Sequence, residues 1–85
     1  MQLTKNDIIL KLKDILIQAD PRMKEKAEKG DENTDLFTEL GLNSVSMLYM
    51  VISIEEDFGI RFDDVSVNDF VTIGDVADYI LKKKN

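Results

Sequence analysis

Apolar residues recur at helical spacing in three stretches of the chain, and those stretches set the expected fold. In the first, Ile8, Leu12, Ile15, Leu16 and Ala19 fall three or four residues apart, with Lys11, Lys13, Asp14 and Gln18 on the wet side. This predicts a helix from about Lys5 to Ala19 with one buried face, widened by Ile9 and Ile17. Thr4 followed three residues later by Asp7 makes a capping-box start, with Asp in place of the commoner Glu. Pro21 ends the helix, because a proline disfavours helical backbone in the residue before it. The second stretch starts at Asn43 or Ser44 and runs to Phe58, where Gly59 is a natural stop. The third opens on Thr72-Ile73-Gly74-Asp75, points Val76, Ala77, Ile80 and Leu81 inward, and closes on Lys82, Lys83 and Lys84, which suit the negative end of a helix dipole. A short helix or turn is expected between Asp63 and Phe70. No strand alternation is sustained and no repeat is present. The expectation is an all-α fold: a small four-helix bundle of three main helices and one short one, forming a single domain over residues 1–85.

Between the first two helices lies a long connection, 20–42. Arg22 to Lys29 reads as a solvated helical turn stopped by Gly30. Asp31-Glu32-Asn33-Thr34-Asp35 is turn-rich and acidic, and Leu36, Phe37, Leu40 and Leu42 are apolar anchors. A calcium loop beginning at Asp31 needs Gly at its sixth position and Glu at its twelfth; the residues there are Leu36 and Leu42, so a solvated turn is the better reading. A connection of this length in a small domain is often functional.

At about 100° per residue, the second helix has two apolar stripes. Met47, Met50, Val51, Ile54 and Phe58 share one narrow sector and form the core stripe. Val45, Leu48 and Ile52 lie on another side, together with Tyr49, Glu55 and Glu56. Two adjacent carboxylates are not expected in a core without partners. That side is therefore expected to face solvent as an apolar strip with an acidic border, a pattern common at docking sites.

Composition narrows the chemistry. The 85 residues include 17 acidic and 11 basic side chains, a net charge of −6, with no histidine and no cysteine. A phosphate backbone would be repelled, so no nucleic-acid partner is expected. Without Cys or His, disulfides, thiolate metal sites, zinc sites and the usual nucleophilic triads are excluded, and no general base stands near a nucleophile. No enzyme activity, bound metal or membrane insertion is expected. The opening Met-Gln-Leu-Thr-Lys-Asn lacks the build of a signal peptide, so a cytoplasmic monomer is the expectation.

Ser44 sits where the loop ends and the second helix begins. On local physics alone, Asn43-Ser44 reads as a helix cap. Three segments together say more: Glu39-Leu-Gly-Leu-Asn-Ser-Val45, Ile54-Glu-Glu-Asp-Phe-Gly-Ile60 and Thr72-Ile-Gly-Asp-Val-Ala-Asp-Tyr-Ile80. In this order and spacing they resemble the acyl carrier protein family, closely over residues 36–81 and loosely over the first helix. The resemblance implies a four-helix bundle with phosphopantetheine on Ser44, the serine at the matching position. It also implies a phosphopantetheinyl transferase, itself magnesium-dependent, that moves the arm from coenzyme A onto Ser44 Oγ. Acyl groups would ride on the arm's thiol as thioesters, exchanged with acyl-loading ligase, synthase or acyltransferase enzymes. A chain without Cys or His fits that role, since the thiol comes from outside. A helix N-terminus favours a phosphodiester, and the Met-rich stripe of Met47, Met50 and Ile54 is deformable enough to admit an acyl chain.

The chain departs from the family pattern at three places. Asn43 stands where Asp is usual, Ser46 where an acid is frequent, and Tyr49 where Glu is frequent. The acidic face is thus depleted in its first two turns and kept at Glu55, Glu56 and Asp57. This favours a specialised carrier in fatty-acid, polyketide or lipid-modification chemistry, addressed by partners through Asn43, Val45, Leu48, Tyr49, Ile52, Glu55 and Glu56. Two alternatives stay open at this point: a carrier of aminoacyl or peptidyl groups, and an unmodified interaction module in which Ser44 is only a cap.

Overall fold

The first apolar stretch forms α1 (Lys5–Ala19), the element on which the others pack. The computed structural model describes residues 3–66 and 69–84. Thr4 Oγ1 accepts from Asp7 N at 3.1 Å and Asp7 Oδ2 accepts from Thr4 N at 3.2 Å, so the reciprocal capping box is formed. At the other end, Asp20 accepts from the Arg22 guanidinium at 3.0 and 3.1 Å and from Arg22 N at 3.1 Å. These bonds, the guanidinium's first, hold the Asp20 carboxyl below the usual carboxylate range. Ile8, Ile9, Leu12, Ile15 and Leu16 are buried against α3 (Ser44–Phe58) and α4 (Ile73–Lys84).

The stretch after α1 differs from its expected form. Pro21–Met23 is a 3-10 turn and Lys24–Lys29 is a helix, α2, and both pack on α1. It is not simply a solvated turn: Met23 and Ala27 are buried. The two are four residues apart, so they share one helical face in an otherwise polar run. The short helix of the bundle is therefore α2. Of the short helix expected over 63–70, residues 63–66 are irregular, and 67–68 lie outside the described residues. Among the described residues the fold is all-α, with four α-helices.

Segment 61–66 is held by side chains instead. The Phe62 ring packs between Phe70 and Tyr79, with centroids 5.6 and 4.9 Å away. The Tyr79 hydroxyl donates to Asp64, and Lys83 Nζ lies 3.4 and 3.5 Å from Asp63 and Asp64. The Tyr79 hydroxyl bond, with Lys83 nearby, lowers the Asp64 pKa. Burial and that same bond raise the pKa of the tyrosine.

The long loop is tied down by its backbone. Leu36 N donates to Val71 O at 2.8 Å, Ile73 N to Thr34 O at 3.1 Å and Gly74 N to Glu32 O at 2.8 Å, around an isolated antiparallel bridge between Asp35 and Thr72. The loop's carboxylates serve this backbone. Asp31 Oδ1 accepts from Asn33 N, and Asp35 Oδ1 accepts from Phe37 N and Thr38 N, each at 2.8 Å. The two bonds to Asp35 lower its pKa, that from Thr38 most. Among the described residues no cluster of three or more acidic, His or Cys side chains is arranged to hold a metal ion. Leu36, Leu40 and Leu42 are buried, whereas Phe37, expected as an anchor, is 39% exposed. Asp75 Oδ2 accepts from Val71 N and Thr72 N, and Thr72 Oγ1 accepts from Asp75 N, which starts α4. Among the described residues no helix is long and apolar enough to cross a membrane.

Gly74 is required by this pairing. A Cβ there would lie 2.6 Å from Glu32 O, a backbone atom. Gly74→Ala is expected to cost about 1–3 kcal/mol, the usual range for overpacking. The measurement is the urea midpoint at unchanged slope; an unshifted midpoint would show that the loop is not held at this point.

Candidate functional site

The site is built by the turn that feeds α3. Leu40 N donates to Asp35 O at 3.1 Å, Gly41 N to Phe37 O at 3.1 Å and Leu42 N to Leu36 O at 3.0 Å. Gly41 has φ +74°, a left-handed conformation that glycine adopts without steric cost. With Leu40 and Leu42 buried on either side, the chain leaves the core at Asn43 in a fixed direction.

Asn43, not Ser44, caps α3. Asn43 Oδ1 accepts from Ser46 N at 3.0 Å and from the Ser46 hydroxyl at 3.3 Å, and Asn43 O accepts from Met47 N at 2.9 Å. Ser44 is the first helical residue and is exposed. Among the described residues its Oγ has no hydrogen-bond partner. The two serines of this turn are therefore inequivalent: Ser46 is tied to the cap and Ser44 is free. The first N–H groups of a helix have no intrahelical partner. Asn43 satisfies the third, so those of Ser44 and Val45 remain beside Ser44 Oγ. No acidic residue occupies this turn.

The two stripes separate as their angles require. Met47, Met50 and Ile54 are at most 1% exposed and lie closed within the core. They do not line the clefts at the surface of this structure. Val45, Leu48, Tyr49 and Ile52 are exposed, as are Asn43 and Glu56. Glu55 differs from its expected place. It is half-buried, and its Oε2 accepts from Phe62 N at 2.9 Å, so it pins segment 61–66 to the end of α3 rather than standing free on the strip. Gly59 closes α3 in a left-handed conformation and donates to Glu55 O at 2.9 Å. Past it, Ile60 and Arg61 line an open cleft of about 450 Å³ with Ile52, Glu55, Glu56 and Gly59. Helical periodicity gives no signal for Ile60 and Arg61, because they lie beyond the helix end.

Residues 11–80 match the family model described as the phosphopantetheine attachment site. The chain belongs to the acyl carrier protein family. It is 35% identical over 83 residues to the acyl carrier protein of Acidothermus cellulolyticus, covering 94% of this chain and 92% of the relative. It is 30% identical over 77 residues to that of Sinorhizobium fredii, covering 91% and 95%. A third match, to the acyl carrier protein of Thermotoga maritima, is 35% identical over 52 residues, 61% of this chain and 64% of the relative. The family's prosthetic group is phosphopantetheine; its members carry acyl groups rather than catalyse, and are served by a phosphopantetheinyl transferase and acyl-handling enzymes.

The residues present fit such a group. A free, exposed hydroxyl stands at a helix N-terminus with unpaired N–H groups beside it and no carboxylate in the first turn, an arrangement that favours a phosphodiester.

The division of labour between the neighbours is measurable by unfolding. Asn43→Ala is expected to lose about 1 kcal/mol, the usual worth of a cap. Ser44→Ala is expected to stay within ~0.5 kcal/mol of the parent, as substitutions at unpartnered surface positions do. The reverse order would make Ser44 the cap.

Proposed function

We propose that Ser44 is the attachment point of phosphopantetheine and that the chain presents acyl groups to enzymes of a fatty-acid, polyketide or lipid-modification pathway. One observation carries the choice of residue: Asn43 takes the capping role, which leaves Ser44 Oγ exposed and without a partner. When bound, the arm supplies a thiol on which an acyl group is held as a thioester. The protein's own part is positional. α3 fixes the hydroxyl, its free N–H groups stabilise the phosphate, and the buried turn keeps the tether clear of the core.

The test is arm transfer. Apo protein with coenzyme A, magnesium and a broad-specificity phosphopantetheinyl transferase is expected to gain one arm by intact mass. Ser44→Ala is expected to gain none, and Ser46→Ala to gain one as the parent does. An arm retained in Ser44→Ala would assign it elsewhere.

Met47, Met50 and Ile54 are the proposed seat for the acyl chain. Methionines repack at low cost, so a core closed without cargo can open around one. Amide hydrogen exchange over α3 is expected to slow as the attached acyl chain lengthens. Identical exchange in apo and acylated protein would remove the pocket from the account.

A further inference from the structure

The exposed face of α3 changes character along its length. Val45, Leu48, Tyr49 and Ile52 are 77%, 57%, 44% and 48% exposed, and no charged residue lies between Ser44 and Ile54. Their spacing of three and four residues makes them neighbours on one surface, so they form a continuous patch rather than scattered exposed apolar groups. Glu56 is one turn beyond Ile52 on the same face, is exposed, and has no ion-pair partner among the described residues. It borders the cleft that also contains Ile52 and Ile60. Glu55 is committed to Phe62 N, and Arg61, on the same cleft, is not paired with Glu56. The Glu56 carboxylate is therefore left for a cation from outside.

This pattern selects its complement. A surface crowded with lysine and arginine would press desolvated cations against Leu48 and Ile52 with no carboxylate to receive them, which is unfavourable. An apolar surface gains by covering the same groups. Resting on Ser44 as the tether, we propose that the enzymes served by this carrier meet α3 through an apolar surface opposite Val45, Leu48, Tyr49 and Ile52 and a cationic side chain at the Glu56 cleft. At 1.5 Å rise per residue, that cation lies about 18 Å along the helix from the point where the arm enters the enzyme. The footprint is a ruler: arm entrance at one end, one cation at the other, uncharged surface between.

The test uses the arm-bearing protein and, as probe, a bacterial malonyl transacylase chosen for an arginine- and lysine-rich docking surface. Loading of the parent is expected to be slow and to change less than about twofold between roughly 50 and 400 mM NaCl, because few charges are available to screen. The double variant Ser46→Glu, Tyr49→Glu is expected to gain about tenfold in kcat/KM at low salt and to lose most of that gain at high salt. Melting curves establish that the double variant is folded. Parent loading as salt-sensitive as the double variant's overturns the proposal, as does a folded double variant with no gain. A dimer of the parent in sedimentation at micromolar concentration also overturns it, since a second copy would then cover the strip. An unmodified Ser44, visible by intact mass before any loading assay, overturns the tether and the proposal with it.

Discussion

Backbone hydrogen bonds between 32–36 and 71–74 decide where Ser44 stands. They fasten the middle of a long loop to the start of α4, and α4 is itself packed on α1. Leu36 is the relay. Its N–H reaches Val71 O, and its carbonyl accepts from Leu42 N, the residue before Asn43. An unbroken path of backbone hydrogen bonds thus runs from the α4 cap to the start of α3. Three features serve that path: glycine at 74, where a Cβ would strike Glu32 O; the Asp75 carboxylate on Val71 N and Thr72 N; and the Asp35 carboxylate on Phe37 N and Thr38 N. Val71 N and Thr72 N, with Val71's the larger effect, hold the Asp75 carboxyl below its ordinary pKa.

The helices were legible because each carries its own start, stop and buried face. Thr4 with Asp7 and Thr72 with Asp75 are reciprocal boxes written within four residues, and Gly59 is a left-handed stop. The burial of α2 was not legible, because Met23 and Ala27 are two apolar residues in a run of charges and only their contact with α1 gives them meaning. The pairing of the loop with 71–74 was not legible either. It is made of backbone groups far apart in sequence, and only Gly74 marks it from the side-chain record. Glu55 reads as a solvent-facing neighbour of Glu56 until the chain turns at Gly59 and brings Phe62 N back to it. At the candidate site the type of residue was legible, but the split of roles between Asn43 and Ser44 needed the geometry of one helical turn.

The two stripes of α3 explain how a small domain can present so much apolar surface. Its core stripe, Met47, Met50, Val51, Ile54 and Phe58, is buried against the bundle. The opposite side keeps Val45, Leu48, Tyr49 and Ile52 in solvent, where each costs favourable burial that a core position would provide. Helical phase settles that this is not leftover core: at about 100° per residue the exposed group is centred roughly 150° from the buried one, so no rotation of α3 could bury both against α1. The face is fixed outward by the same residues that hold the helix inward.

A covalent tether makes a conflicting demand on the residue that bears it. A serine that caps a helix needs its hydroxyl oxygen as an acceptor for a backbone N–H; a serine that carries a group needs that oxygen free to be substituted. Placing both tasks on one residue would make modification compete with folding, at a cost of about one cap, ~1 kcal/mol, in a domain whose size leaves little stability to spare. Here Asn43 accepts from Ser46 N and Ser46 Oγ, and Ser44 follows one residue inside the helix with its side chain outward. The helix start is therefore indifferent to what Ser44 Oγ bears. The cost falls on charge instead. An aspartate at 43 would cap equally well but would set a negative charge beside a phosphate. Asparagine keeps the cap and omits that repulsion, leaving the helix dipole and the free N–H groups of Ser44 and Val45 unopposed in stabilising an anion at this end.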